Sequence, residues 1–280
     1  MIPVPFQWEY SAFPVTVTGN RLRSPGFRRI TLAGPDLRRF APWGLDQRIK
    51  LVLPMPDGSH PEFGLLDRPT PHPREWYSRW KQLPADRRNV LRTYTPAAIR
   101  PEQGEIDVDM YLHDPPGPAS RWAADARPGD TLVITGPESR VGYTGYGLHY
   151  RPPAPPSRVL LIGDESALPA MANIAGSVAP GTGVEALLEL ADPADDLLSG
   201  TSPCLSVTRP EPEAVPGAAL VRAAREWARG TVIDPGLFVW VAGEATATTT
   251  IRRSLTQDLG VAKEQVAFLG YWKLGGPLVG

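Results

Sequence analysis

Four short stretches of this sequence combine residue types able to hold an anionic or aromatic ligand. In Leu91-Arg-Thr-Tyr-Thr-Pro96 strand alternation puts Arg92 and Tyr94 on one face, with Thr95 turned the other way as Pro96 ends the ladder. A guanidinium beside a phenol ring can grip a phosphate and cover an aromatic ring. The purely structural alternative is a barrel strand with an exposed arginine and a half-buried tyrosine. In Leu112-His-Asp-Pro-Pro-Gly-Pro-Ala-Ser-Arg-Trp-Ala123 a strand runs through a Pro/Gly turn into a helix start. There the N–H groups of Ala119, Ser120 and Arg121 can converge on a pyrophosphate; otherwise Trp122 is a core anchor and Ser120 a cap. Gly163-Asp-Glu-Ser-Ala-Leu-Pro169 follows an apolar run and opens a helix, without a Gly-x-Gly-x-x-Gly loop. Either its free N–H groups face a phosphate or nicotinamide, or Asp164 or Glu165 caps the helix. Val241-Ala-Gly-Glu244 is the matching turn after a later strand.

The elements that must position these stretches fall into two halves. Before Arg151, six short alternating runs bounded by Gly and Pro predict an antiparallel β-barrel or sandwich. They are Phe13 to Thr18, Arg28 to Leu32, Arg48 to Leu53, Val90 to Thr95, Ile106 to Leu112 and Thr131 to Thr135. The segment from Pro54 to Asn89, with Trp76, Tyr77 and Trp80, reads as an ordered lid or a peripheral insertion. Four prolines in Pro152–Pro156 mark a linker. The domains are therefore 1–151 and 157–280. The second half alternates strands and helices. Val159 to Ile162, Val184 to Leu190, Leu205 to Thr208, Leu237 to Ala242 and Val266 to Leu269 read as buried strands. Ala167, Met171, Ile174 and Val178 form a helical stripe, and Ala218 to Arg229 and Ala245 to Leu259 read as further helices. This pattern predicts a Rossmann-like parallel sheet, whose ligands sit at the carboxyl ends of its strands.

Composition removes several classes of function. With 29 Lys+Arg against 30 Asp+Glu, the chain of 280 residues has no basic field of the kind nucleic-acid binding uses. A single cysteine excludes an internal disulfide, a thiolate zinc site or a four-cysteine cluster within one chain. The four histidines are dispersed, so no metal site is expected and redox chemistry must come from a cofactor. No stretch reaches 18 apolar residues, and the N-terminus lacks a signal-peptide pattern, which predicts a cytoplasmic, soluble protein without membrane insertion. Pro 33 and Gly 27 indicate many turns in an otherwise globular composition.

Taken in order, Arg92-x-Tyr94-Thr95, His113-x₃-Gly-Pro-Ala-Ser-Arg-Trp122, Pro128-Gly-Asp130, Gly163-Asp-Glu-Ser-Ala-Leu-Pro169, Trp240-Val-Ala-Gly-Glu244 and Gly270-Tyr-Trp-Lys273 form a recognisable series. The chain resembles siderophore-interacting proteins, flavin-dependent ferric-siderophore reductases of the ferredoxin-reductase-like superfamily. The likeness runs from Val15 to Gly275, with Ser166 standing where threonine is common. The resemblance implies an FAD-binding barrel followed by an NAD(P)-binding domain. It places Arg92 near the flavin diphosphate and Tyr94 and Thr95 against the isoalloxazine, and counts Thr93 among the cofactor-binding residues. His113, Ala119, Ser120 and Trp122 fall on the ribityl-phosphate or adenine side. NADPH or NADH would lie across Gly163, Asp164, Glu165, Ser166 and Ala167 and the Gly243–Glu244 turn. Lys50, Arg140 and Lys273 match positions that receive the anionic ferric siderophore. No side chain is singled out as catalytic.

The implied reaction takes a hydride from NAD(P)H to FAD and electrons onward, singly, to chelated Fe(III). Fe(II) then leaves because oxygen chelators hold it less strongly, without a protein iron ligand. Ferredoxin is an alternative donor, and a monomer is expected. Glu189 and Asp192, after the second strand of the second half, mildly disfavour a 2′-phosphate. Two rival functions are another NAD(P)H-flavin oxidoreductase and a non-catalytic siderophore-binding protein.

Overall fold

The computed structural model describes residues 9–60, 62–198, 204–208 and 215–277. It divides into two compact units, Met1–Leu148 and His149–Gly280.

The first unit is one antiparallel sheet of seven strands: β1 (Tyr10–Ser24), β2 (Phe27–Ala33), β3 (Ile49–Val52), β4 (Leu91–Tyr94), β5 (Ala98–Arg100), β6 (Glu105–Tyr111) and β7 (Thr131–Pro137). Their order is β4-β3-β7-β1-β2-β6-β5. The two edge strands are thus consecutive in sequence, joined through residues 95–97. Four residue steps span at most ~14 Å, whereas the edges of a flat seven-stranded sheet lie ~29 Å apart. The sheet must therefore curl until its edges approach, giving the half-barrel. The Ala97 N–H donates to the Asp107 carbonyl (2.8 Å), tying the connection to β6.

Alternation gives this sheet two buried faces. Phe13, Val15, Ile30, Leu32, Ile49, Leu51, Ile106, Val108 and Ile134 form the barrel core, sealed by Ala119 and Ala123 of α2 (Pro118–Asp125). On the other face Ala12, Val52 and Val133 pack under Phe63, Leu65 and Trp76, the last from α1 (Pro73–Gln82). The described residues of the 54–89 segment thus cover part of the outer sheet face. The segment is pinned by Thr70 Oγ1, which accepts from Ala12 N (3.2 Å), and by Asn89 Nδ2, which donates to the Leu53 carbonyl (2.8 Å). His72 caps α1, its Nδ1 accepting from Arg74 N.

The second unit carries β8 (Arg158–Asp164), α3 (Leu168–Ser177), β9 (Gly183–Glu189), β10 (Cys204–Thr208), α4 (Ala218–Arg229), β11 (Leu237–Glu244), α5 (Ala245–Arg253), β12 (Val266–Lys273) and β13 (Gly276–Pro277). Strand order is β10-β9-β8-β11-β12-β13, the first five parallel and β13 antiparallel. The order reverses between β8 and β11, the point at which open α/β sheets form their ligand crevice. Leu160 and Ile162 of β8 join Leu220 and Ala224 of α4 and Ile251 of α5 in one core. Gly163 faces α3 on the opposite side, where a Cβ would meet the Ala167 Cβ at 2.5 Å and the Met171 Sδ at 2.9 Å. Its lack of a side chain lets helix and strand close together. α5 ends in a π-helical turn, Ser254–Asp258, so the predicted helix Ala245 to Leu259 changes its winding before it stops.

Candidate functional site

In the first unit β4 pairs with β3 so that Lys50 lies opposite Thr93, Leu51 opposite Arg92 and Ile49 opposite Tyr94. The Tyr94 ring packs against the barrel core, and burial raises its phenol far above the ordinary range. Arg92 is half-buried, and burial lowers its pKa. Its guanidinium donates to the Leu91 carbonyl (2.8 Å) and meets no carboxylate among the described residues. A desolvated cation without a counter-charge costs free energy that a bound anion recovers. Thr93 is exposed and Thr95 buried, on the side away from Arg92 and Tyr94.

At the end of β6 the Ser120 hydroxyl donates to the Tyr111 carbonyl (3.3 Å) and accepts from His113 N (3.1 Å). Ser120 therefore clamps strand to helix rather than capping its own helix. His113 sets its ring edge-on to Tyr111 (5.1 Å between centroids), and burial lowers its pKa. Trp122 packs against the barrel core, half-buried. The first helical bond of α2 is from Arg121 N to the Gly117 carbonyl (3.0 Å), so Arg121 N is engaged. Gly117 supplies no side-chain cap, and the N–H groups of Ala119 and Ser120 have no partner among the described residues. The start of a helix with open donors attracts an anion.

Lys50 Nζ donates to Thr93 Oγ1 (3.4 Å), and burial, aided by Arg48, brings its pKa down to about 8. Arg140 is held by two nitrogens on the wholly buried Glu138 carboxylate (3.0 and 3.1 Å). That spacing of two residues was available in the sequence.

The second unit uses its strand-end polar groups differently. Asp164, buried at the end of β8, accepts four hydrogen bonds. They come from Ser166 N (3.0 Å), Ser166 Oγ (2.5 Å), Glu244 N (3.1 Å) and the Trp272 indole Nε1 (2.8 Å). Burial raises its pKa, and these bonds oppose the rise. One carboxylate thus ties the ends of β8, β11 and β12. Gly243 permits this: its φ of 147° excludes ordinary side chains, and a Cβ would lie 2.5 Å from Asp164 Oδ2. Glu244 Oε2 caps α5 through Thr246 N (2.7 Å) and Ala247 N (2.9 Å). Glu165 is half-buried, pushed up to about 7 by burial, and accepts from Ala191 N (2.6 Å). The Gly163–Pro169 turn therefore does not offer a row of free donors: Ser166 N is taken by Asp164, which is the capping arrangement. Lys273, the last residue of β12, is exposed beside Trp272.

Glu189 reads differently in the structure. Its carboxylate is buried and accepts from Gly217 N and Leu220 N (2.8 Å each), capping α4. Asp192 caps the turn at Pro193–Asp195. Glu189 is thus engaged inside the fold, whereas Asp192 keeps an exposed side chain at the strand end. The signal that sequence reading lacked is the partner, 28 and 31 residues away for Glu189.

Residues 16–141 match the family model described as Siderophore-interacting FAD-binding domain, and residues 156–275 match that described as Siderophore-interacting protein. The chain belongs to the siderophore-interacting protein family. The mycobactin import ATP-binding/permease protein IrtA of Mycolicibacterium smegmatis is 32% identical over 213 residues, 75% of this chain and 23% of that protein. The chain thus spans about a quarter of the length of the IrtA relatives it matches. The NADPH-dependent ferric-chelate reductase of Escherichia coli is 32% identical over 148 residues, covering 53% of this chain and 50% of the enzyme. A solved siderophore utilization protein from T. fusca has 26% identity and a TM-score of 0.77, over 98% of this chain and 97% of that one.

As in a siderophore-interacting FAD-binding domain, the residues present fit the flavin nucleotide. Arg92 is a half-buried cation lacking a counter-charge, and α2 opens with unpartnered donors. Among the described residues no group of three or more metal-ligating side chains occurs, and no helix is long and apolar enough to cross a membrane.

Proposed function

We propose that this chain is an FAD-dependent ferric-siderophore reductase that uses NAD(P)H to reduce siderophore-bound Fe(III) to Fe(II) and release iron in the cytoplasm. The observation that carries this reading is the uncompensated Arg92 guanidinium beside the Tyr94 ring, within the stretch matched to the FAD-binding family. When bound, FAD supplies the exchange between a two-electron donor and a one-electron acceptor, which no side chain of this chain performs.

In this reading residues 1–151 hold FAD and residues 157–280 the dihydronicotinamide. Arg92 neutralises the diphosphate with help from Thr93, and Ala119 and Ser120 add backbone donors at the start of α2. Tyr94 and Thr95 line the isoalloxazine; His113 and Trp122 flank the ribityl-phosphate or adenine side. At the second crevice Gly163, Asp164, Glu165, Ser166, Ala167, Gly243 and Glu244 form a wall rich in carboxylates. Such a wall repels a pyrophosphate and tolerates a neutral ring, so it suits the nicotinamide end. Lys50 and Lys273 attract the anionic chelate. Arg140 contributes less, since Glu138 already balances it. The chain acts as a monomer, with ferredoxin as the alternative donor.

The purified protein is expected to be yellow, to bleach on anaerobic mixing with NADPH or NADH, and to recover its colour on addition of a ferric chelate. A protein that takes up no added FAD contradicts the reading. Flavin that is reduced by neither coenzyme moves the donor to a ferredoxin.

A further inference from the structure

Strand β1 carries one polar side chain on a face where apolar residues are expected. Alternation puts Phe13, Val15 and Val17 of β1 on the barrel-core face, and the next residue on that face would be Gly19. A β-bulge between Val17 and Gly19 shifts the phase by one: Val17 pairs with Leu32, Gly19 with Thr31 and Asn20 with Ile30. Partners across a ladder share a face, and both Leu32 and Ile30 belong to the core. The bulge therefore turns a carboxamide, rather than a glycine, toward the core side of the sheet.

There the carboxamide meets the end of α2. Asn20 Nδ2 donates to the Ala123 carbonyl (2.9 Å) and to the Ala126 carbonyl (2.8 Å), using both of its hydrogens. Its Oδ1 accepts from an Arg28 guanidinium nitrogen (3.1 Å). Helical winding alone would give the Ala123 carbonyl to Arg127 N, which donates to the Asp130 carboxylate instead (2.8 Å). Asn20 supplies the donors that the chain withdraws as it leaves the helix. The departing segment is stitched to the same strand, with Gly129 N donating to the Val17 carbonyl (2.9 Å) and Val17 N to the Asp130 carbonyl (2.8 Å).

These anchors decide where α2 stands. The helix has eight residues, and isolated helices shorter than ~12–15 residues do not hold in water. Its fully buried residues are Ala119, Ser120 and Ala123, which give it little apolar area. Its entry is tied to β6 by the Ser120 hydroxyl, and its exit to β1 by Asn20. Two turns of helix form one stiff body ~12 Å long, so a tilt at the exit is carried to the entry.

We infer that Asn20 is a positioning residue for the flavin diphosphate: by fixing the carbonyl end of α2 to β1, it sets where the open N–H groups of Ala119 and Ser120 stand at the other end. The inference rests on the diphosphate lying at the start of α2, as in the proposed function, and adds the residue that aims that helix.

The full-length apoprotein is titrated with FAD by flavin fluorescence, and the diphosphate of bound FAD is followed at saturation by phosphorus-31 NMR. Asn20→Ala is expected to raise the FAD dissociation constant roughly 5- to 30-fold, the worth of one or two hydrogen bonds. It should also move the diphosphate resonances toward those of free FAD, with the visible flavin band in place. Asn20→Ser keeps one donor; it is expected to show the same changes at smaller size, and it serves where Asn20→Ala does not fold. Asn89→Ala is the comparison, because Asn89 is a buried carboxamide that holds the Leu53 carbonyl and makes no hydrogen bond to α2 among the described residues. It is expected to lower urea stability and leave both FAD readouts unchanged. Diphosphate resonances that keep their wild-type positions in the Asn20 variants, or an FAD affinity that falls no further than in Asn89→Ala, overturn the inference and leave the reductase reading intact. Failure of both Asn20 variants to fold does the same. A wild-type apoprotein that takes up no FAD overturns the reductase reading itself, and the inference with it.

Discussion

The two cofactor-sized sites of this chain are built on opposite principles. Around β4 and α2, polar groups are left open: Arg92 lacks a counter-charge and α2 opens with unpartnered donors. At the β8/β11 crevice they are closed: Asp164 accepts four hydrogen bonds, Glu244 caps α5, and Glu189 caps α4. The open site gains free energy only when an anion arrives. The closed site gains it on folding, and offers a ligand a fixed shape rather than unsatisfied partners. In the proposed function this contrast separates a tightly held, doubly charged cofactor in the first unit from a coenzyme that comes and goes in the second.

Four substitutions or titrations break or sharpen the contrast. The largest effect is expected at Asp164. Asp164→Ala leaves Ser166 N, Glu244 N and the Trp272 indole without their acceptor, which at about 1–2 kcal/mol per donor lowers stability by about 3–6 kcal/mol. Urea unfolding followed by tryptophan emission measures it, and FAD affinity is expected to change little. Arg92→Met comes next. Losing one charged hydrogen-bonding partner of the diphosphate costs about 2–3 kcal/mol, roughly 30- to 150-fold in the FAD dissociation constant, with urea stability of the apoprotein unchanged or slightly raised. A flavin fluorescence titration gives the number.

Glu189→Gln is expected to cost about 1–2 kcal/mol of stability, because an amide oxygen replaces only part of the cap on α4. The ratio of KM for NADH to KM for NADPH should stay fixed; a changed ratio would return Glu189 to coenzyme selection. The smallest effect is electrostatic. Lys50 titrates near 8, its pKa lowered by burial and by Arg48. Its positive charge is present below that pH and lost above it, so KM for an anionic ferric chelate should rise as pH passes from 7 to 9. Lys50→Arg should flatten the rise. Stability runs the other way: the unfolded chain holds this proton up to the ordinary lysine value of 10.5. Between about 8 and 10.5 this one group therefore adds stability as pH rises.

Much of the fold was legible because its signals are local. Alternation marked β1, β2, β3, β4, β6 and β7, and helical spacing marked α3, α4 and α5. Strand β5 escaped because three residues, Ala98–Arg100, carry too little alternation to detect. The 54–89 segment showed its aromatic residues but not its job, since only the folded sheet reveals an outer face needing Trp76, Phe63 and Leu65 as cover. The candidate site divides in the same way. Arg92 and Tyr94 sharing a face followed from strand geometry. The bond from Trp272 to Asp164 spans 108 residues and no sequence period announces it. Glu189 looked like a ribose ligand from its position at a strand end, and only the approach of Gly217 and Leu220 shows that it was already engaged.

The central claim is that one chain joins a dihydronicotinamide to a ferric chelate through flavin. It is tested most directly by anaerobic stopped-flow spectroscopy of the FAD-loaded protein. The protein is first reduced with one equivalent of NADPH or NADH and then mixed with a ferric siderophore and a ferrous-specific dye. The account predicts bleaching of the flavin band in the first mix. In the second the band should return as two Fe(II) appear per flavin. Flavin that reduces normally and then stays reduced in the presence of the ferric siderophore, with no Fe(II) formed, would contradict it.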